Sequence, residues 1–321
     1  MKKNEIRIIT TSGKLNMSED DIKYIKTKLS SYEITFGKNV KNNFATKYNY
    51  PSIEDRKKDI EDAFLDKNVN VIMIARGGFL TNQLLDEINY DVIKENPKKI
   101  IGFSDATSLL NAIYSQTGIK TYYGPNFSIL AMRKGNDYTV SYLNKVLNNE
   151  EEYYINPAPY WSSDKWYKDQ NNREFIKNEG MNIINEGSSE GTIIGGNLNS
   201  FSLLQGTKYI PIDREIILFL EEDDWAGDDY LYEFDRRLQS ITQQKNFENI
   251  KGIIIGRAQK DSNMSLKSWG ELFLMNKKLK NIPIIINADF GHTMPMATFP
   301  IGGRCSMIAK ENAIEIKIIN K

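Results

Sequence analysis

Three residues combine a chemistry with a position that suits acyl transfer: Ser104, Glu221 and His292, each just past the end of an apolar run that reads as a strand. A hydroxyl, an imidazole and a carboxylate in that relation supply a nucleophile, a general base and a group that orients the imidazole and balances its charge. The chain order, serine then acid then histidine, is the one used by α/β-hydrolases, although geometry rather than order defines a triad. His292 is the one histidine in the chain, so any step needing imidazole must use it, and a histidine-cluster metal site is impossible.

Ser104 lies in KKIIGFSDATSLLNAIY (98–114), where an apolar strand over 100–103 meets helical spacing at Leu109, Leu110 and Ile113. A serine at such a corner can sit on a tight turn with its oxygen exposed and free helix N–H groups beside it. Gly102 and Ala106, two before and two after, give G-x-S-x-small, one residue short of the hydrolase elbow. The alternative is a serine that merely caps a helix. The apolar strand over 70–75 runs directly into Arg76-Gly77-Gly78. One of these glycine N–H groups and that of Asp105 could form a two-donor oxyanion hole, unless the glycines are a plain turn. Gly291 gives the backbone room to turn His292 inward. The acidic run from Glu221 to Asp229 has two other readings, a solvated face and an oxygen-ligand cation site, and it lacks the alternating spacing of a calcium loop.

The totals narrow the class. The chain of 321 residues allows two domains, and 42 basic residues balance 42 acidic ones, so no charge excess argues for a nucleic-acid or membrane partner. The amino end lacks the apolar core of a signal peptide, and no run approaches the roughly 20 apolar residues needed to cross a bilayer. A cytoplasmic location is therefore expected. Cys305 is the lone cysteine, which excludes an internal disulfide and a cysteine-built zinc site.

Strands and helices alternate over the first 130 or so residues, the pattern of a doubly wound, largely parallel sheet whose ligands gather at the carboxyl ends of its strands. A helix from Tyr138 to Asn149 closes this unit. Residues 150–186 lose apolar periodicity and read as a linker or substrate loop. Its Trp161 and Trp166 could form a stacking wall for a flat ligand, or could pin the loop to the body. From Gly187, strands end at Gly195-Gly196, Glu221, Gly256-Arg257 and Ala288, and a terminal hairpin spans 304–319.

The motifs ARGGFLTNQLLDEI (75–88), IIGFSDATSLLNAI with GIKTYYGP (100–125), IIGGNLNSFSLLQGTKYIP (193–211), LFLEEDD with FDRRLQSI (218–241), IIGR (254–257) and NADFGHTMPMATFPIGG (287–303) follow one another across nearly the whole chain. Together they resemble the LD-carboxypeptidase family of serine peptidases. The resemblance implies an α/β fold with a Rossmann-like nucleophile domain over 1–149 and a smaller barrel-like domain over 187–321 carrying glutamate and histidine. It also implies a site at their junction, a homodimer and no cofactor or metal. Carried over by position, the nucleophile is Ser104, the acid Glu221 and the base His292, with oxyanion donors at Asp105 and at Gly77 or Gly78. The SSDKWYKD loop (162–169) and the EDDWAGDD that follows Glu221 look closer to the microcin C immunity branch than to the murein branch. The first implies cleavage of an amide between an aminoacyl or peptidyl group and a modified nucleotide, with Trp161 and Trp166 stacking on the base. The second implies release of terminal D-alanine from murein peptides. Arg76 or Arg257 would meet a substrate carboxylate. Two readings of other classes stand beside these: a non-catalytic protein holding an anion at Gly77, Gly78 and the helix start, and a metal-dependent hydrolase using the acidic run. A histidine base gives a rate that rises with pH through a limb near the reference value of about 6.5.

Overall fold

In a computed structural model, which describes residues 3–41, 50–223 and 227–320, the alternation in the sequence becomes alternation in space. The first half runs β1 (Asn4–Ile9), α1 (Glu19–Lys28), β2 (Tyr32–Phe36), α2 (Ile53–Leu65), β3 (Val69–Ile74), α3 (Tyr90–Glu95), β4 (Lys99–Gly102), α4 (Thr107–Thr117), β5 (Thr121–Tyr123) and α5 (Asp137–Leu147). Ser18 and Ser52 cap α1 and α2 by accepting the N–H of Asp21 and Asp55, and each helix has acidic residues in its first turn, where the helix dipole favours them. The run Val69–Ile74 is buried at every position except Asn70, as a strand covered on both faces must be.

The second half runs β6 (Glu152–Tyr154), β7 (Tyr160–Trp161), β8 (Ile176–Lys177), β9 (Asn182–Asn185), β10 (Gly187–Asn197), α6 (Leu198–Ser202), β11 (Ile216–Glu221), α7 (Asp228–Thr242), β12 (Ile250–Gly256), α8 (Leu266–Met275), β13 (Ile284–Ala288), β14 (Phe299–Ile301), β15 (Arg304–Lys310) and β16 (Ala313–Ile319).

Two large sheets result. The first has the order β14-β5-β4-β3-β1-β2, parallel from β5 to β2, with β14 antiparallel at its edge. The strand order reverses between β1 and β3, and the Arg76-Gly77-Gly78 turn leaves β3 at that switch point. The second sheet has the order β6-β16-β15-β10-β11-β12-β13-β9, with β10 to β13 parallel. Among the described residues it is a mixed sheet with β6 and β9 as its edges; it is not a closed barrel, but it is consistent with the barrel-like α/β domain that the family resemblance implies. Residues 150–186, expected as linker and loop, supply both of those edge strands. They are short and only partly buried, so they carry little periodic signal. One further strand crosses the expected division: β14, far down the chain, belongs to the first sheet.

The two lobes share a core. One apolar cluster runs from Ile9, Phe64 and Ile113 through Tyr123 to Phe219, Phe290 and Trp269, and a second fills the other face of the first sheet with Ile25, Phe127 and Leu143. At the seam, the Asn111 amide on α4 donates to the Gly195 carbonyl at 2.8 Å and the Thr107 hydroxyl oxygen accepts from the Asn197 N–H at 3.0 Å. Thus α4, the helix that follows Ser104, is fastened directly to the sheet that carries Glu221.

Candidate active site

Ser104 occupies the left-handed region with φ +62°, a conformation that costs a non-glycine residue roughly 1–3 kcal/mol and is retained where surrounding contacts enforce it. A short 3-10 turn over Ser104–Ala106 therefore precedes α4, where the sequence suggests a helix starting directly at Asp105. The small neighbours have a steric cause: a Cβ on Gly102 would lie 2.5 Å from Ile74 Cδ1 and 2.8 Å from Ala106 Cβ. The corner is fastened from below, since the Asn126 side-chain oxygen accepts the Phe103 N–H at 3.0 Å.

Asp105 holds the glycine turn against this corner. Its buried carboxylate accepts the N–H groups of Leu80 and Thr81, both at 3.0 Å, and the Thr81 hydroxyl at 2.7 Å. Ser12, after β1, accepts the N–H groups of Phe79 and Leu80. Of the two glycines, Gly77 faces the nucleophile: a Cβ there would stand 3.3 Å from Ser104 Cβ and 3.4 Å from its Oγ, whereas one on Gly78 would collide with Ser12.

The three strand tips meet. Ser104 Oγ is 3.1 Å from His292 Nε2, and His292 Nδ1 is 2.7 Å from Glu221 Oε2. The His292 backbone N–H donates to the same carboxylate oxygen at 3.0 Å, and the Tyr123 hydroxyl donates to Oε1 at 2.6 Å. Glu221 is 1 % exposed, so these donors replace the water it has lost. Gly291 explains how the histidine comes so close: at φ +105° any Cβ would lie 2.7 Å from Glu221 Cβ and Oε2. Burial, reinforced by the charge of Glu221, pushes the Tyr123 hydroxyl well above its ordinary pKa, so it stays protonated and donates. Phe103 covers the imidazole, with ring centroids 4.6 Å apart.

A third carboxylate reaches the ring. Asp223 Oδ1 lies 2.8 Å from His292 Nε2 and accepts from the Asn197 amide at 3.2 Å. Burial of the imidazole favours its neutral form, but the charges of Glu221 and Asp223 outweigh it and hold the pKa of His292 well above the usual histidine value. The reference value of about 6.5, itself subject to local shifts, is thus displaced upward for this residue.

Glu222, between these two acids, points elsewhere. Its side chain is buried, with Oε2 free of hydrogen bonds and 3.5 Å from Arg237 Nη1 on α7. Burial pushes its pKa up from 4.5 to about 7, against the pull of the Asp223 N–H and Arg237. The folded state thus binds this proton more tightly than the unfolded chain. The cost of ionising Glu222 is absent below about pH 4.5, grows through the interval and is complete above about pH 7, reaching about 3 kcal/mol. Glu222→Gln is expected to melt at a higher temperature relative to wild type at pH 8 than at pH 5; a difference independent of pH in thermal melts would contradict this.

The remaining sequence candidates lie in different surroundings. Arg76 is exposed beside the glycine turn. Arg257, suggested for a substrate carboxylate, is already engaged: its guanidinium bonds Asp289, the Asn178 side chain and the Asn287 carbonyl. Trp161 lies over that guanidinium at 5.2 Å, and its neighbour Ser162 pairs with Met294 on the histidine loop through two backbone hydrogen bonds. Trp166 packs against both apolar clusters, as the loop-pinning alternative requires. Of the acidic run, Asp224 and the following two residues lie outside the described residues. Among the described residues no group of three or more His, Cys, Asp or Glu side chains is arranged to hold a metal ion, and no helix is long and apolar enough to cross a membrane. Sequence reasoning missed Tyr123, Asn126 and Asn197. Tyr123 and Asn197 end strands inside quoted motifs and Asn126 directly follows such a motif, which was the available signal.

The sequence matches the LD-carboxypeptidase N-terminal domain over residues 6–124 and the LD-carboxypeptidase C-terminal domain over residues 190–307. The chain belongs to the LD-carboxypeptidase family of serine peptidases and is a hydrolase of carboxypeptidase type. It is 43% identical over 311 residues to YocD of Bacillus subtilis, named as a carboxypeptidase, covering 96% of this chain and 94% of that one. A crystal structure of an MccF-like protein from Bacillus anthracis superimposes with a TM-score of 0.96 at 42% identity, covering 100% of this chain and 98% of that one. The microcin C7 self-immunity protein MccF of Escherichia coli is 30% identical over 268 residues, 79% of this chain and 76% of its own. A structure of MccF in complex with aspartyl sulfamoyl adenosine has the same fold, with a TM-score of 0.85 at 24% identity, covering 100% of this chain and 97% of that one.

Proposed function

We propose that this hydrolase uses Ser104, His292 and Glu221 as its catalytic triad to cleave the amide between an aminoacyl or peptidyl group and a modified nucleotide. The observation that carries the reading is the unbroken contact from Ser104 Oγ through the imidazole to the buried Glu221 carboxylate. Neutral His292, its Nδ1–H held by Glu221, takes the Ser104 proton as Oγ attacks the scissile carbonyl. The N–H groups of Asp105 and Gly77 receive the oxyanion. The imidazolium then protonates the leaving nitrogen, and water, activated by the same base, releases the acyl group from Ser104. The substrate half of the proposal is supported by the high similarity to the MccF-like protein and by MccF itself having been solved with an aminoacyl sulfamoyl adenosine bound. Trp161, exposed in part beside the histidine loop, is the aromatic surface we assign to the base.

The test offers aspartyl sulfamoyl adenosine and a murein tetrapeptide side by side and follows both by mass spectrometry. Release of sulfamoyl adenosine at least tenfold faster than release of terminal D-alanine is the expected result. The reverse preference would move the chain to the murein branch with the same triad.

A further inference from the structure

A neutral imidazole has one N–H, yet here a carboxylate oxygen faces each ring nitrogen: Glu221 Oε2 at 2.7 Å from Nδ1 and Asp223 Oδ1 at 2.8 Å from Nε2. Only the doubly protonated ring can donate to both. In that state Nε2 has no lone pair for the Ser104 proton, although Oγ stands 3.1 Å away. We propose that Asp223 is a positioning residue that holds His292 as imidazolium in the substrate-free enzyme and must leave Nε2 before His292 can act as the base. The inference rests on the triad proposed above and adds a step before it. As Asp223 withdraws, the Nε2 proton passes to solvent water, leaving the ring neutral with its Nδ1–H still on Glu221.

The two carboxylates are built for different tasks. Glu221 is fixed by Tyr123, by the His292 backbone and by Gly291 packing, and is 1 % exposed. The Asp223 side chain is 28 % exposed, and the Asn197 amide offers the same oxygen a second partner at 3.2 Å. Among the described residues, the groups that face the ring are Glu221 from β11, Asp223 from the segment after it, Ser104 and the Phe103 ring from the corner after β4, and Tyr123 from β5 through Glu221; Arg237 on α7 acts on Asp223 from a distance. Glu222 turns away toward Arg237. Among the described residues, no cation faces the ring itself, and burial of the ring alone would favour the neutral form.

The single histidine makes the test direct. Protein labelled with 15N-histidine gives one pair of ring-nitrogen signals, which report protonation without substrate. Wild-type His292 is expected to be doubly protonated at pH 7, and Asp223→Asn to lower its titration midpoint by at least one pH unit, tenfold in proton affinity. The rising limb of kcat/KM for aspartyl sulfamoyl adenosine should move by the same amount when each profile is read against its own plateau. A neutral ring in the wild type at pH 7 would overturn the proposal, and needs no variant to be seen; so would an unmoved midpoint in Asp223→Asn. Turnover by Ser104→Ala, by contrast, would remove the triad itself, whatever the ring titration shows.

Discussion

Ser104→Ala is expected to lower kcat/KM by about 10⁴-fold or more while the protein keeps its fold. Loss of a triad nucleophile removes the covalent path, and what survives is only the rate supplied by oxyanion donors and binding. The packing argument is equally specific. Ser104 holds φ +62° because Gly102, Ala106, Asn126 and Asp105 enforce the corner, and none of these contacts uses the hydroxyl. Alanine in the same conformation loses one partly buried side-chain hydrogen bond, to His292. Circular dichroism and thermal melting should therefore match wild type, and initial rates should collapse. Rates within tenfold of wild type would sink the assignment of the nucleophile.

Glu221→Gln is expected to cost about as much, on the order of 10⁴-fold in kcat, for a different reason. Glutamine preserves the shape but not the charge, so it no longer stabilises the imidazolium that forms during attack, and its amide can face Nδ1 with the wrong partner and fix the wrong tautomer. The variant also removes one of the two anions that raise the proton affinity of His292, so the rising limb of its residual activity should lie at lower pH than in wild type. The sign follows from the role. A base must be neutral to act, and activity appears as pH rises through its pKa. Steady-state rates from pH 5 to 9 measure both effects, and a variant with wild-type rate and limb would show that Glu221 is not coupled to the base.

The sequence made the strands and their tips legible for a physical reason. A parallel strand covered on both faces must be apolar along its length, so β3, β4, β11 and β13 stand out as runs, and the residue after each run is where a ligand can be reached. That is enough to mark the Gly77-Gly78 turn, Ser104, Glu221 and His292 as candidates, without choosing between the two glycines. What local pattern cannot report is the destination of a side chain across the fold. Tyr123 reads as one more aromatic in a short strand until Glu221 arrives from a different sheet to accept its hydroxyl. Arg257 looks available until Asp289 and Asn178 enclose it. The edge strands β6 and β9 lack periodicity because they are half solvated, and β14 could not be assigned to the first sheet without knowing that β5 had an open side. Asp223 sat in an acidic run whose solvated-face and cation-site readings had no room for a carboxylate turned back onto the imidazole.

The loop that bears His292 leaves the second sheet at Ala288 and arrives at Phe299 as a border strand of the first. Between those points it is fastened on both sides, to Ser162 through Met294 and to Thr139 on α5 through the Met296 N–H. The imidazole therefore rides on a strap between two plates. Its position is thus set jointly by the two sheets, so the alignment of the base depends on how the two halves of the molecule sit together.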